Sequence, residues 1–267
     1  MNPSLPVALS VLGSCFLSGC TVLQWLGHED QRKVGSPTAF GVARRARWWG
    51  GIALSAAGTV LQFWALWIGA LALVQPLGAL HIALTAVAMA QLRREAVLGW
   101  RLWGILLVTL GTFLCLAGEA GVESGGAISL PGAMGFLGFL LAMALGAAFL
   151  PRPAARSAVA SGIAYSLSAV AWKALSGTGM VPGAIPWVAL FTAGYLGGFA
   201  LIQVGFRHGG AGTVNALATG TATALPMVAA VAVFGEPVSP LAWLGVALTA
   251  CGVLLVGRVI PGSLRRG

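Results

Sequence analysis

Long apolar runs, separated by short polar or proline-containing segments, set the pattern of this chain. Nine of these runs are long enough to cross a bilayer as helices, since about 20 apolar residues span its hydrocarbon core. They cover residues 5–26, 49–68, 70–91, 101–118, 131–150, 157–178, 184–205, 211–234 and 240–258. The pattern predicts an all-α polytopic membrane protein with about nine transmembrane helices.

Much of the stretch from Val74 to Gly118 returns 141 residues later. At least nine positions are identical, where chance would give roughly two to four in so narrow an apolar alphabet. Leu84, Val87, Ala88, Glu95, Val97, Gly104, Leu107, Gly111 and Leu114 match Leu225, Val228, Ala229, Glu236, Val238, Gly245, Leu248, Gly252 and Leu255. We interpret this as an internal duplication. It predicts a first membrane half over residues 1–150, with spans 1–5, and a second over 151–267, with spans 6–9.

The distribution of positive charge predicts how the copies are inserted. With the N-terminus outside, fourteen Lys or Arg residues fall on the inner side and only Lys173 on the outer side, as the positive-inside rule requires. This predicts a multi-pass protein of the cell membrane with a cytoplasmic C-terminus. Because an odd number of crossings separates the copies, they are expected to be inverted, with Glu95 inside and Glu236 outside. Inverted repeats are typical of alternating-access transporters.

Composition excludes several other classes of protein. Hydrophobic residues make up 58% of the chain and charged residues 8%, too few to cover a soluble domain of this size. Lys and Arg lie in short clusters between apolar runs, so no nucleic-acid partner is expected. The sequence shows no catalytic motif and no cofactor motif, and its four cysteines lack the spacing of a metal site. We therefore expect neither an enzyme nor a bound metal or cofactor.

Several segments resemble a known transporter family. The run ALVQPLGAL through Glu95, the glycines Gly104 and Gly111, and the ending FGEPVSPLAWLGVALTACGVLL resemble the EamA-like branch of the drug/metabolite transporter superfamily, in its compact nine-span form. There is also some similarity to NIPA-type magnesium transporters. The resemblance implies two inverted units with the pore between them and spans three and eight near its centre.

Polar side chains at membrane depth are the candidates for binding a substrate, because polar groups in hydrocarbon are costly and need partners. The candidates are Gln62, Trp64, Gln75, His81, Tyr165, Tyr195, Gln203, Asn215 and Thr219. His81 is either a structural histidine bonded to a backbone carbonyl, which is favoured, or a proton carrier. Pro76, Gly78 and Pro226 are expected to break or hinge their helices.

Other polar and small residues have two interpretations each. The stripe of Ser10, Ser14, Ser18, Thr21 and Gln24 on span one faces either the pore or a close helix–helix seam. Lys173 either extends to the headgroups or meets an anionic substrate group, and the first is favoured. The ridge of Gly138, Ala142 and Gly146 packs against another span or against a second protomer, so a homodimer is a further expectation.

The sequence favours a secondary transporter of a small organic metabolite or amphiphilic drug-like compound, working in the lipid bilayer by alternating access. The acidic residues fall in loops or at span ends, which argues against a buried magnesium site. The alternatives that stay open are a non-transporting membrane subunit or assembly partner, a magnesium transporter, and a flippase for a lipid precursor.

Overall fold

The computed structural model describes residues 4–32, 45–92, 94, 97, 99–118, 128–178 and 184–257, and within them every regular element is an α-helix. In chain order these are α1 (Ser4–Arg32), α2 (Ala46–Ile68), α3 (Leu71–Gly78), α4 (Leu80–Leu92), α5 (Trp100–Gly118), α6 (Leu130–Ala148), α7 (Pro153–Thr178), α8 (Ile185–His208), α9 (Ala211–Ala232) and α10 (Pro240–Gly257). The predicted all-α membrane fold is confirmed.

Eight helical segments are long and apolar enough to cross a membrane when α3 and α4 are counted together. The shorter apolar helix α10 is a ninth candidate, which agrees with the predicted number of spans. Many large apolar side chains are exposed along these helices, for example Phe113 at 64% and Leu141 at 62%, as expected of surfaces that face lipid tails. Two of the helices begin with a serine cap and a proline in the first turn. Ser129 Oγ accepts the Gly132 amide ahead of α6, and Ser239 Oγ accepts the Ala242 amide at the start of α10.

Two helices differ most from the predicted spans, while the bounds of the others differ by at most four residues. Helix α1 continues to Arg32, six residues beyond its predicted end, and therefore includes the buried His28. The third span is broken at Ala79, where α3 ends and α4 begins. Pro76 and Gly78 lie in the turn before this break, where a proline removes a backbone donor and a glycine lowers helix propensity. Pro226, in contrast, lies inside the continuous helix α9.

The duplication is visible in the helix boundaries. A shift of 141 residues carries α2 to 187–209, beside α8 at Ile185–His208, and carries α5 to 241–259, beside α10 at Pro240–Gly257. The same shift relates Arg94 to Gly235, and both have left-handed backbones, with φ of 53° and 61°. The equivalence of the copies therefore extends to the turn after α4 and the turn after α9. Glu95, which corresponds to Glu236 in the repeat, lies outside the described residues. The division of the chain at residue 150 stays a prediction.

The duplicated glycines form the contact between α5 and α10. A Cβ added to Gly111 would lie 2.5 Å from the carbonyl oxygen of Gly245, and one added to Gly104 would lie 2.8 Å from that of Gly252. Because Gly104 corresponds to Gly245 and Gly111 to Gly252, each contact is the image of the other under exchange of the copies. The numbering runs in opposite directions along the two helices, so they are antiparallel, as inverted copies require.

The small-residue ridge on α6 does not pack against another helix in the described part of the chain. Gly138, Ala142 and Gly146 are exposed, and a Cβ added to either glycine would meet nothing within 4 Å. This excludes the first of the two predicted uses of the ridge within that part, packing against another span. The predicted homodimer stays a prediction.

Candidate functional site

A cavity of about 180 Å³ lies between the two copies of the repeat. Helices α1, α2, α3 and α4 line one side of it, and α7, α8 and α9 line the other. The lining combines aromatic side chains with hydroxyl and amide groups. A concave site with a largely apolar wall and a few polar groups is typical of small-molecule binding.

The structure brings most of the predicted site residues to this cavity. The residues that line it are Gln62, Gln75, His81, Tyr165, Tyr195, Asn215 and Thr219, together with Gly78 at the helix break. Trp64 does not: its side chain is 55% exposed on the outer surface of α2, so its placement in the site was wrong. Gln203 is not in the lining either, but it bonds to Gln24, which is. Whether these residues bind a substrate stays a prediction.

His81 is bonded on both ring nitrogens. Its Nδ1 lies 2.7 Å from the carbonyl oxygen of Gly78, and since a carbonyl only accepts, Nδ1 is the donor. Its Nε2 lies 3.0 Å from Thr219 Oγ1 and 3.2 Å from Asn215 Oδ1. The ring thus links the end of α3 to α9, across the two copies. It makes the predicted bond to a backbone carbonyl and also lines the cavity.

The carbonyl groups around the break between α3 and α4 are taken up by side chains of other helices. Ser14 Oγ donates to Leu77 O at 3.0 Å, and Thr112 Oγ1, which also bonds to Val108 O at 2.8 Å, lies 3.3 Å from Pro76 O. The hydroxyl of Ser10 donates to Gln62 Oε1 at 2.9 Å and approaches Val74 O at 3.4 Å. The serines of α1 therefore stabilise the broken helix, because each backbone acceptor buried away from water needs a donor.

One end of the cavity carries what we call the amide cluster, formed by Gln24, His28, Trp48 and Gln203. Gln203 Nε2 donates to Gln24 Oε1 at 2.7 Å, while Gln203 Oε1 lies 2.9 Å from His28 Nε2 and 3.4 Å from Trp48 Nε1. The cluster joins α1 and α2 of the first copy to α8 of the second. Sequence reasoning missed His28 because the span was ended at residue 26; the spacing of four residues from Gln24, one helical turn, was the available signal.

The other end carries what we call the aromatic cluster, formed by Phe63, Trp67, Trp172, Phe191 and Tyr195. The Phe63 ring lies 5.3 Å from that of Trp172 and 4.8 Å from that of Phe191, and Trp172 Nε1 donates to Phe63 O at 2.8 Å. Phe191 and Gln203 are both on α8, twelve residues and therefore roughly 18 Å apart along its axis. The two clusters thus join the copies at opposite ends of the cavity.

Two buried charged residues lie beyond the aromatic cluster. Lys173 is 6% exposed and its Nζ donates to Gly69 O at 2.7 Å. Lys173 is not among the residues that line the cavity, and its ammonium group is bonded inside the protein. Glu236 is 2% exposed, and its carboxylate accepts the amides of Leu71 and Ala72. Glu236 does follow a span end, as predicted, but its burial was not foreseen.

One comparison with known proteins finds a similarity that is confined to the first copy. Residues 3–123 match the family model described as magnesium transporter NIPA. The NIPA match covers α1 to α5 and agrees with the predicted resemblance to the drug/metabolite transporters. No curated protein and no solved structure matches the chain. The NIPA match and the membrane-helical fold together support a membrane transporter.

The NIPA match raises the question of which oxygen atoms could hold a magnesium ion as cargo. The described residues that line the cavity offer hydroxyl and amide oxygens but no carboxylate. Magnesium sites in proteins usually include one or two carboxylates, with water completing the octahedron. The cavity walls are chemically closer to those of a site for an organic molecule.

Proposed function

We propose that this chain is a secondary transporter that moves a small organic molecule by alternating access. The observation that carries this proposal is the cavity itself, which is lined from both copies of an inverted repeat by aromatic and uncharged polar side chains. Inverted repeats offer two near-equivalent packings, one open to each side of the membrane. A site between the copies is then reached from either side in turn.

The two ends of the cavity support this mechanism. The amide cluster joins α1 to α8 through Gln24 and Gln203, and the aromatic cluster joins α2 to α7 through Phe63 and Trp172. Since the repeat relates α1 to α7 and α2 to α8, these joins are equivalent by exchange of the copies. In the proposed cycle one join opens while the other stays closed. His81 lies in the cavity and is proposed as the proton carrier if transport is coupled to protons.

Magnesium transport is the second candidate, and the NIPA match over residues 3–123 favours it. The uncharged lining of the cavity argues against it, because a divalent cation would find no carboxylate among the described residues there. A membrane subunit without transport activity is the remaining alternative.

Flux into and out of proteoliposomes tests these candidates. Vesicles are loaded with nicotinamide, uracil, benzoate and tyramine, and the loss of each compound is measured by mass spectrometry against protein-free vesicles. A trapped magnesium-sensitive dye measures magnesium entry in parallel. We expect protein-dependent loss of at least one organic compound and no magnesium entry.

Two tryptophan variants test whether the solute passes through the cavity. Ala222 lines the cavity, so Ala222→Trp is expected to fill it and abolish flux. Ala142 is exposed on α6, and Ala142→Trp is expected to leave flux at the wild-type rate. Magnesium entry that Ala222→Trp blocks would replace the proposal by the second candidate. No flux of any solute through well-folded protein would overturn both and favour the subunit.

A further inference from the structure

The charge of the cavity walls limits the charge of what they bind. No Asp, Glu, Lys or Arg is among the described residues that line the cavity. A charged molecule placed there would lose its hydration without gaining a counter-charge, which is costly in a low-dielectric site. The lining therefore favours an uncharged molecule.

The aromatic residues of the lining limit its shape. Five aromatic side chains face the cavity, namely Phe63, Tyr165, Tyr195, Phe199 and Phe206. The rings of Tyr165 and Tyr195 lie 5.8 Å apart and those of Phe63 and Tyr195 lie 6.1 Å apart. These rings contact one another and together form an aromatic wall, and the face or edge of a planar ring packs well against such a wall.

Gln24 adds a directional requirement. The indole N–H of Trp48 can only donate, which fixes Oε1 of Gln203 on its side and turns Nε2 of Gln203 towards Gln24. The oxygen of Gln24 is therefore the atom that faces Gln203. Nε2 of Gln24 is left without a hydrogen-bond partner among the described residues, although the side chain is only 2% exposed and lines the cavity. A buried donor in this position calls for an acceptor.

We propose that the cavity binds an uncharged molecule that combines a planar ring with a carbonyl oxygen, and that this oxygen accepts a hydrogen bond from Gln24 Nε2. The inference rests on the proposed function, because it names the substrate class of the same cavity. At Gln24 Nε2 the cavity offers a donor, which binds an acceptor atom of an organic molecule and does not bind a metal ion.

Four probes that share one ring test the class. Benzamide is neutral and has a carbonyl, toluene is neutral and has none, benzoate is an anion, and benzylamine is a cation at neutral pH. Binding to the protein in nanodiscs is followed by tryptophan fluorescence, with empty nanodiscs as the blank. We expect benzamide to bind about tenfold more tightly than toluene, which corresponds to one hydrogen bond to a buried donor. Tighter binding of benzoate or benzylamine than of benzamide would overturn the inference.

Gln24→Glu removes the donor with the least change of shape. The substituted carboxylate keeps an oxygen for Gln203 Nε2 but replaces the unpartnered N–H by an acceptor. We expect benzamide to bind about tenfold more weakly to this variant while toluene binding is retained. The matched control is Gln91→Glu, the same chemical change at an exposed position of α4, where benzamide binding should equal that of the wild type.

The inference and the proposed function fail in different ways. Unchanged benzamide binding in Gln24→Glu overturns the inference, and so does a flux confined to charged solutes, which leaves transport intact. Benzamide binding that depends on Gln24 in a protein without any flux overturns transport and leaves the inference standing. If Gln24→Glu does not fold, the neutral Gln24→Met variant takes its place, with the same expected loss for benzamide and none for toluene.

Discussion

Lys173 and Glu236 hold the same short turn of the chain from its two sides. Lys173 Nζ donates to the carbonyl of Gly69, at the end of α2, and Glu236 accepts the amides of Leu71 and Ala72, at the start of α3. Helix C-termini carry partial negative charge and N-termini partial positive charge. Each buried side chain therefore meets the helix end of opposite sign, which explains how two charged residues are accommodated beside a membrane span.

Glu236→Gln is expected to destabilise the protein strongly. The amide retains one oxygen but not the charge that strengthens the two bonds to α3, and Lys173 loses its nearby anion. Removing one partner from such a buried arrangement costs about 3–5 kcal/mol. The melting temperature, followed by tryptophan fluorescence in detergent, measures the effect. Asp30→Asn is the control, because it breaks an exposed ion pair with Arg47 that is worth about 0–1 kcal/mol.

The double variant Lys173→Met with Glu236→Gln tests whether the two charges act together. If each mainly compensates the other, the double variant loses less stability than the sum of the single variants, because no buried charge is left alone. Additive losses would show instead that Lys173 and Glu236 stabilise their helix ends independently.

The glycine contact between α5 and α10 should not tolerate a side chain. Gly111→Leu would force atoms into the backbone of Gly245, where even a Cβ lies at 2.5 Å. We expect poor expression or a fall of several degrees in melting temperature, since overpacking costs about 1–3 kcal/mol. Gly138→Leu is the matched control on α6, where the space is open and helix propensity improves. Equal melting temperatures for the two variants would contradict the described packing of α5 on α10.

Repetition along the chain predicted the architecture better than any single motif. The matching glycines at 104 and 245, and at 111 and 252, indicated the duplication. In the structure Gly104 lies beside Gly252, and Gly111 lies beside Gly245. Lys173 shows where such reasoning stops. Its partner Gly69 is 104 residues away and offers only a backbone carbonyl, which no pattern in the sequence marks. The tendency of lysine to extend to the headgroups was outweighed by the buried carbonyl of Gly69, which needs a donor at the end of α2.

Polarity at membrane depth located the cavity but did not fix which face of a helix points to it. Gln62 and Trp64 are two residues apart on α2, and only Gln62 lines the cavity. Two positions differ by about 200° around a helix, so they cannot share a narrow face. In a soluble helix the apolar side would decide between them. Here lipid and protein interior are both apolar, and the choice depends on which neighbour packs there.

Because one face of α2 lines the cavity and the other does not, variants on the two faces should affect flux differently. Tyr195→Phe keeps the ring in the cavity but removes the bond of 2.8 Å to Thr59 on α2. Loss of one buried neutral hydrogen bond, worth about 1 kcal/mol, is expected to lower the flux of the compound found in the liposome assay about fivefold. Trp64→Leu on the outer face should leave that flux unchanged. If Trp64→Leu lost more flux than Tyr195→Phe, the site would lie on the outer face of α2 and not at the cavity.

His81→Asn separates the structural bond of the histidine from its capacity to carry a proton. The side-chain amide of asparagine occupies roughly the place of Nδ1 and can donate to Gly78 O, the bond that is 2.7 Å long in the native protein. The variant is therefore expected to fold with a melting temperature near that of the wild type, but it has no group that titrates near neutral pH. If His81 carries protons, a pH gradient across the vesicle accelerates wild-type flux and has no effect on His81→Asn, while exchange without a gradient is retained. If a pH gradient still accelerates the flux of the variant, His81 is not the proton carrier. Its role is then to link α3 to α9.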